Sequence, residues 1–241
     1  MTQQDSSQPR NVAVTTPSGN KAQERLRKIL TPVSHKLWNI TLEGFENLPT
    51  SGPAILCPNH ISFFDSVFTM MFAGRQISFV GKAEYMDSWK TKFLFPMMGM
   101  IPIDRSGGEK SQAALDAAEA VLRRGELFGM FPEGTRSRDG SLYKGRTGIA
   151  RLAIESGAPV VPVAMSNTDK IQPTGKVIPN VKRVGMHFGE PMYFGGDSTD
   201  LEHLRDVTDQ IMNAIHAMSG QEYIDIYAPK KAKLGEITEE D

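Results

Sequence analysis

Short apolar segments alternate with longer amphipathic ones along most of the chain. Seven runs rich in β-branched and aromatic residues have the length of strands. They lie at residues 40–44, 53–58, 77–81, 101–104, 127–132, 159–166 and 183–189. Between them, apolar residues recur at helical spacing at 65–72, 88–95, 110–124, 146–155 and 201–218. This alternation predicts an α/β protein with a mixed, largely parallel sheet flanked by helices.

The first forty residues follow a different pattern. Residues 1–19 are rich in Thr, Gln, Ser and Pro, which predicts a disordered tail. Residues 20–40 predict an amphipathic helical hairpin, with Pro32 opening the second helix. Five Lys or Arg residues stand against one Glu between Lys21 and Trp38. Such a segment would serve for membrane association on an anionic surface, or would pack on its own domain with a solvated basic face.

Composition limits the class of protein and the places where it would work. The 241 residues are 39% hydrophobic and 23% charged, which is typical of a soluble globular chain. A net charge of −1 gives no overall attraction to nucleic acid, and a single cysteine excludes an internal disulfide. With no signal-peptide core and no apolar run long enough to cross a bilayer, we expect a peripheral protein at the cytoplasmic face of a membrane. Residues 41–228 form one predicted domain, and 229–241 a charged C-terminal tail.

The stretch "CPNHISFFDS" places His60 five residues before Asp65. Pro58 ends the preceding predicted strand, so His60 falls where α/β proteins place their sites. A carboxylate can fix the tautomer of a neutral histidine base, although these ten residues taken alone favour a structural histidine with a helix-capping aspartate. The sequence has no G-x-S-x-G elbow, and Ser62 suits a helix cap. A His-Asp pair without its own nucleophile would activate a hydroxyl on a substrate.

Two further loops follow predicted strands and carry arginines. In "FPEGTRS", residues 131–137, Gly134 lets backbone approach a ligand and Arg136 can bind an oxyanion through two hydrogen bonds. In "MIPIDRS", Arg105 follows the strand at 101–104. Together these loops predict a local anion-binding site on a chain that has no global positive charge.

Four segments occur in a fixed order: "NHISFFD", "IPIDR", "FPEGTRS" and "APVVPV". They resemble the four-block pattern of the glycerolipid acyltransferases, in particular the 1-acylglycerol-3-phosphate acyltransferases. The resemblance spans about residues 40–220 and implies that 41–228 is an acyltransferase catalytic domain.

The resemblance implies an enzyme that moves a fatty acyl group to the free hydroxyl of 1-acylglycerol 3-phosphate (lysophosphatidic acid), giving phosphatidic acid. By position, His60 would be the general base and Asp65 would orient it. The residues expected to bind substrate are Lys82, Arg105, Glu133, Gly134, Thr135 and Arg136. Glu133 is expected to shape the loop and to orient Arg136 or the substrate.

The implied partners are a lysophospholipid acceptor, a membrane surface, and acyl-CoA or acyl carrier protein as the thioester co-substrate. No cofactor and no nucleic acid are expected. No metal ion is expected either, because the five histidines lack metal-ligand spacing.

Several alternatives stay open at this point. The acceptor could instead be glycerol 3-phosphate, 2-acylglycerol 3-phosphate or another lysophospholipid, and the fold could serve a non-catalytic lipid-binding protein. The Met-rich stretch at 93–100 would line an acyl tunnel or belong to the core. Cys57, inside a predicted strand, is interpreted as a buried small hydrophobe rather than a nucleophile.

Overall fold

The computed structural model describes residues 20–82, 94–103, 110–171 and 183–229. Its strands are β1 (Ile40–Glu43), β2 (Ala54–Pro58), β3 (Ile77–Lys82), β4 (Met100–Ile103), β5 (Leu127–Gly129), β6 (Leu142–Tyr143), β7 (Val160–Ser166), β8 (Val184–Phe188) and β9 (Tyr223–Ile224). Its helices are α1 (Lys21–Leu37), α2 (Phe64–Phe72), α3 (Leu94–Met97), α4 (Lys110–Arg123), α5 (Gly148–Ser156) and α6 (Leu201–Ser219), with a 3₁₀ turn at Phe45–Asn47.

Seven strands form one sheet in the order β1-β8-β7-β2-β5-β3-β4. All neighbouring pairs are parallel except β7 and β8, so the predicted mixed, largely parallel sheet is confirmed. β5 is shorter than predicted, because the chain turns between Phe131 and Gly134, whose N–H donates to the Phe131 carbonyl at 3.1 Å. The two-residue strands β6 and β9 pair separately. They are too short for a periodicity to predict.

Helices cover both faces of the sheet and create two apolar cores. Alternate residues of β2 point to opposite sides: Ile55 and Cys57 pack with α4, α5 and α6, whereas Ala54 and Leu56 pack with α2 and α3. Every residue of β2 is buried. This explains why β2 reads as a continuous apolar run instead of an alternating one.

The predicted N-terminal hairpin is wrong, because the structure has one helix, Lys21–Leu37, that continues through Pro32. Proline removes one helical N–H and normally favours a break. Here the helix is anchored on both sides of Pro32: the Gln23 side chain bonds both the N–H and the carbonyl of Ile77, and Ser34 is buried. These tertiary contacts outweigh the local preference.

Several predictions fall on residues outside the described ranges. They include the tail at 1–19, most of the helix at 88–95 and nearly all of the tail at 229–241. Of the Met-rich stretch, Phe95 and Met98 are buried in the core beside α2, which favours the core interpretation for them. None of the helices described is both long enough and apolar enough to cross a bilayer.

Candidate active site

The site is built where the carboxyl ends of β2 and β5 lie side by side. These two strands are parallel neighbours, so the loops that follow them meet at one edge of the sheet. The His60 N–H donates to Oε1 of Glu133 at 2.8 Å, and the Ser137 N–H donates to the His60 carbonyl at 2.8 Å. The structure therefore brings together the histidine segment and the "FPEGTRS" loop, as the sequence predicted.

His60 and Asp65 form a hydrogen-bonded pair, with Nδ1 of His60 2.9 Å from Oδ2 of Asp65. The same carboxylate oxygen accepts the N–H groups of Ile61 and Ser62, each at 2.7 Å. The other oxygen accepts the Thr168 hydroxyl. Asp65 is fully buried, and these four donors hold its carboxylate in place.

This geometry fixes the tautomer of the histidine. An ionised carboxylate can only accept hydrogen bonds, so Nδ1 carries the proton and Nε2 carries the lone pair. No described residue hydrogen-bonds to Nε2. The His60 side chain is 19% exposed whereas that of Asp65 is 0% exposed, so the imidazole reaches solvent while its partner stays buried. The pair can act as a general base on a group that approaches from outside.

Phe131 holds the other side of the imidazole. Its ring stacks on the His60 ring with centroids 3.9 Å apart and planes inclined by 21°. A second phenylalanine, Phe79, stacks behind it at 6.0 Å. Stacking restricts rotation of the imidazole without adding a charge, so the Asp65 hydrogen bond and the Phe131 ring together set the orientation of the imidazole.

Glu133 links the two loops through backbone contacts. It is 1% exposed, and its two carboxylate oxygens accept the N–H groups of His60 and Tyr143, at 2.8 and 3.0 Å. Burial raises its pKa to about 7, with smaller contributions from the charges of Asp65 and Asp139, although the two N–H bonds oppose this. The described contacts of Glu133 go to backbone rather than to Arg136.

The remaining residues of the loop lie nearer solvent. Gly134 has φ +71°, a left-handed conformation that glycine adopts without strain. Thr135 is half-buried and Arg136 is exposed. Within the described ranges, Arg136 has neither an ion pair nor a hydrogen-bonded side chain. A guanidinium in this state remains available to an anionic ligand.

Of the other two predicted basic residues, Lys82 and Arg105, the structure describes the position of Lys82 only. Lys82 is the last residue of β3, which lies two strands from β2, a separation of roughly 10 Å. Its position is at the same edge of the sheet as His60. Arg105 lies outside the described residues.

Sequence reasoning missed a polar network behind His60. The Asn59 side chain pairs with the backbone of Met165, accepting its N–H at 2.6 Å and donating to its carbonyl at 3.0 Å. Asn59 also donates to Gln221 at 2.7 Å, and Gln221 in turn donates to the Gly140 carbonyl at 2.6 Å. Asn59 stands next to His60 in the sequence, but no local pattern points to Thr168 or Gln221.

Cys57 behaves as predicted. It is fully buried in β2, and burial raises the pKa of its thiol, with a smaller contribution from the charge of Glu133. The thiol therefore stays protonated and has no access to a substrate.

Two grooves, of about 500 and 420 Å³, lie beside α1 and are lined by none of these site residues. Neither groove is therefore part of the candidate site.

The structure is thus a three-layer α/β protein with a hydrogen-bonded His60–Asp65 pair at the carboxyl edge of its sheet. Residues 39–166 match a family model described as Acyltransferase, and the chain belongs to this acyltransferase family. The resemblance seen in the sequence is thereby confirmed at the level of the family.

Named relatives agree with this assignment. A chloroplastic 1-acyl-sn-glycerol-3-phosphate acyltransferase of Arabidopsis thaliana is 32% identical over 166 residues, covering 68% of this chain and 46% of the relative. A chloroplastic 1-acyl-sn-glycerol-3-phosphate acyltransferase of Brassica napus is 31% identical over 185 residues, covering 75% of this chain and 53% of the relative. The chain thus spans about half the length of the curated relatives it matches.

The fold is also found in a solved structure. The crystal structure of the 1-acyl-sn-glycerophosphate acyltransferase of Thermotoga maritima superposes with a TM-score of 0.65. Sequence identity is 24%, and the match covers 81% of this chain and 79% of that one. The predicted acyltransferase-like fold is therefore confirmed.

Proposed function

We propose that this chain transfers a fatty acyl group from a thioester donor to the free hydroxyl of 1-acylglycerol 3-phosphate, giving phosphatidic acid. The observation that carries the proposal is the orientation of His60: Asp65 holds Nδ1 at 2.9 Å and leaves Nε2 as a base at the rim of the sheet. The printed names of the two plant relatives support the choice of acceptor.

The proposed reaction begins with the acceptor hydroxyl at Nε2 of His60. Nε2 takes the hydroxyl proton while the oxygen attacks the carbonyl carbon of the thioester. The tetrahedral intermediate then breaks its carbon–sulfur bond, and the departing thiolate takes the proton back from the imidazolium. Asp65 stabilises the transient imidazolium and keeps its orientation. A positioned base of this kind is typically worth about 10²- to 10⁴-fold in rate.

The donor in this proposal is acyl-CoA or acyl carrier protein, and it acts as a co-substrate. Arg136 is proposed to bind the acceptor phosphate, with Lys82 and Arg105 contributing from neighbouring strand ends. The exposure of Arg136 and its freedom from ion pairs with described residues support its part. Phosphate suits a guanidinium because two parallel N–H bonds can form at once.

Helix α1 is proposed to hold the protein on a membrane surface. Ile29, Val33 and Leu37 recur at four-residue spacing and are 64%, 45% and 43% exposed. The two fully buried residues of this helix are polar, Gln23 and Ser34. Since α1 exposes its apolar stripe beside basic side chains, the membrane interpretation is favoured over a merely solvated basic face.

The direct test is an acyl-transfer assay with purified protein on an acceptor-by-donor matrix. The acceptors are 1-acylglycerol 3-phosphate, its 2-acyl isomer, glycerol 3-phosphate and 1-acylglycerol; the donors are acyl-CoA and acyl carrier protein thioesters. Preferred acylation of 1-acylglycerol 3-phosphate supports the proposal. Preference for another acceptor would change the proposed substrate. If no thioester is consumed, or if it is consumed without need of an acceptor, the proposed acyltransferase role is overturned.

A further inference from the structure

Arg146 lies against the "FPEGTRS" loop and has a side chain that is held in place without an anionic partner. Its N–H donates to the Pro132 carbonyl at 2.8 Å, which ties its backbone to that loop. A Cβ built on Gly134 would lie 2.8 Å from both Cδ and Nε of Arg146. The arginine stem therefore runs over the glycine, next to Glu133, the residue that binds the His60 N–H.

Tyr227 supports the charged end of this side chain. The guanidinium carbon of Arg146 sits 5.0 Å from the centroid of the Tyr227 ring. A guanidinium over an aromatic face is attracted by the ring and can still direct its N–H donors to a ligand. Tyr227 comes from the segment after α6, outside the residues that the family model matches.

Two cations near Arg146, Lys144 and Arg205, already have carboxylate partners. Lys144 pairs with Asp225 at 2.9 Å, and Arg205 pairs with Asp209 at 2.6 Å and donates to the Gly145 carbonyl at 2.7 Å. Between them, Arg146 is exposed, and its side-chain donors have no hydrogen-bond acceptor among the described residues. A guanidinium held over a ring, with its side-chain donors unpaired among the described residues, can receive an oxyanion.

We propose that Arg146, positioned by Tyr227, is a phosphate-binding residue of this site. The place of Arg146 in the reaction rests on the proposed acyl transfer. Its binding chemistry does not: the N–H donors of the Arg146 guanidinium would bind a phosphate monoester or a diphosphate. That phosphate belongs either to the acceptor or to the coenzyme A part of the donor. Both present the same oxyanion to Arg146.

Kinetics with each substrate varied in turn separate the two sources. In Arg146→Gln, the KM for one phosphorylated substrate should rise about tenfold while kcat stays within about threefold. A rise for 1-acylglycerol 3-phosphate assigns the acceptor phosphate, and a rise for acyl-CoA assigns the donor. The matched control is Arg123→Gln on α4. This change also removes an exposed arginine, but one that pairs with Glu119 and lies far from the loop.

The positioning role of Tyr227 is tested by removing or keeping its aromatic ring. Tyr227→Leu should raise the same KM about threefold, and Tyr227→Phe should restore the wild-type value because the aromatic face is kept. A merely structural role of the C-terminal segment would change kcat and stability without this rescue.

A binding measurement keeps this proposal separate from the acyl-transfer proposal. The Nε–H resonance of Arg146, assigned by its loss in Arg146→Gln, is followed during titration with glycerol 3-phosphate and with coenzyme A. A saturable shift with either ligand supports the site even if wild-type protein transfers no acyl group. Unchanged KM values together with no response of the resonance would overturn it; if the protein is inactive, the resonance alone decides.

Discussion

Asp65 and Thr168 are 103 positions apart in the chain, yet the Thr168 hydroxyl donates to the carboxylate that orients His60. Thr168 follows β7 and Asp65 lies in the first turn of α2, so the contact joins the loop after β7 to the segment after β2. The His60 imidazole is thus positioned by contacts from the segments that follow two neighbouring strands, β2 and β7.

The first prediction concerns the carboxylate itself. Asp65→Asn should lower kcat by about 10²- to 10⁴-fold, because the amide can no longer enforce the tautomer with Nε2 unprotonated. Circular dichroism and the unfolding midpoint check that the variant folds. A kcat within about tenfold of wild type would remove Asp65 from the mechanism.

A milder change tests the same network where Asp65→Asn fails to fold. Thr168→Val leaves one buried carboxylate oxygen without its donor, which should cost about 1–3 kcal/mol in the free energy of unfolding and lower kcat. The matched control is Thr208→Val in α6, since the Thr208 hydroxyl donates only to the Leu204 carbonyl of its own helix. If Thr168→Val and Thr208→Val change the free energy of unfolding equally and change kcat equally, Thr168 has no special role.

The second prediction concerns the pH dependence of stability through Glu133. Its pKa is about 7 in the folded protein against an ordinary 4.5, so the folded state binds this proton more tightly than the unfolded state. The contribution to stability is therefore full below pH 4.5 and is lost as the pH rises toward 7, by about 3 kcal/mol in all.

Glutamine does not titrate, so the free energy of unfolding of wild type should fall relative to that of Glu133→Gln between pH 5 and 7. Above pH 7 the difference between the two proteins should stay constant. Urea unfolding at several pH values measures the difference, and exposed Glu46→Gln serves as the control. A difference that is independent of pH would show that Glu133 is not held in the raised-pKa state.

Much of the fold and part of the site follow from the sequence for physical reasons. Strands buried on both faces read as apolar runs, and the residues just after β2 fall at the functional edge of a largely parallel sheet. That reasoning led to the prediction of His60 and Asp65, which the structure places in a hydrogen-bonded pair at this edge. It also predicted a chain break at Pro32, where tertiary contacts of α1 prevailed over local propensity.

What the sequence could not reveal depends on long-range packing. Phe131 stacks on His60 only because β5 lies beside β2, and Gln221 reaches Asn59 only after α6 has returned the chain to the site. For Glu133, the resemblance implied that it shapes the loop and orients Arg136 or the substrate, and its described bonds go to the backbone N–H groups of His60 and Tyr143. No periodicity encodes such contacts.

The third prediction concerns recognition of the acceptor. Arg136→Ala should raise the KM for 1-acylglycerol 3-phosphate about tenfold or more, and the KM for the acyl donor much less, because one charge-assisted contact to phosphate is lost. Steady-state rates with each substrate varied in turn measure both values. An unchanged acceptor KM would count against this role.

The fourth prediction concerns α1. Val33→Glu places a charge within the exposed apolar stripe and should weaken binding to vesicles of anionic phospholipid by about tenfold. Leu201→Glu is the control, because Leu201 is 70% exposed at the start of α6, outside the stripe. Sedimentation with vesicles measures both, and equal binding of Val33→Glu and wild type would exclude α1 as the contact surface.

The proposed role of His60 as the base for acyl transfer is tested by removing its side chain. Wild type and His60→Ala are compared for formation of phosphatidic acid from 1-acylglycerol 3-phosphate and a thioester donor, with the variant shown to be folded. We expect transfer by wild type and a loss of at least about 10²-fold in the variant. Transfer by folded His60→Ala at a rate near that of wild type would contradict it.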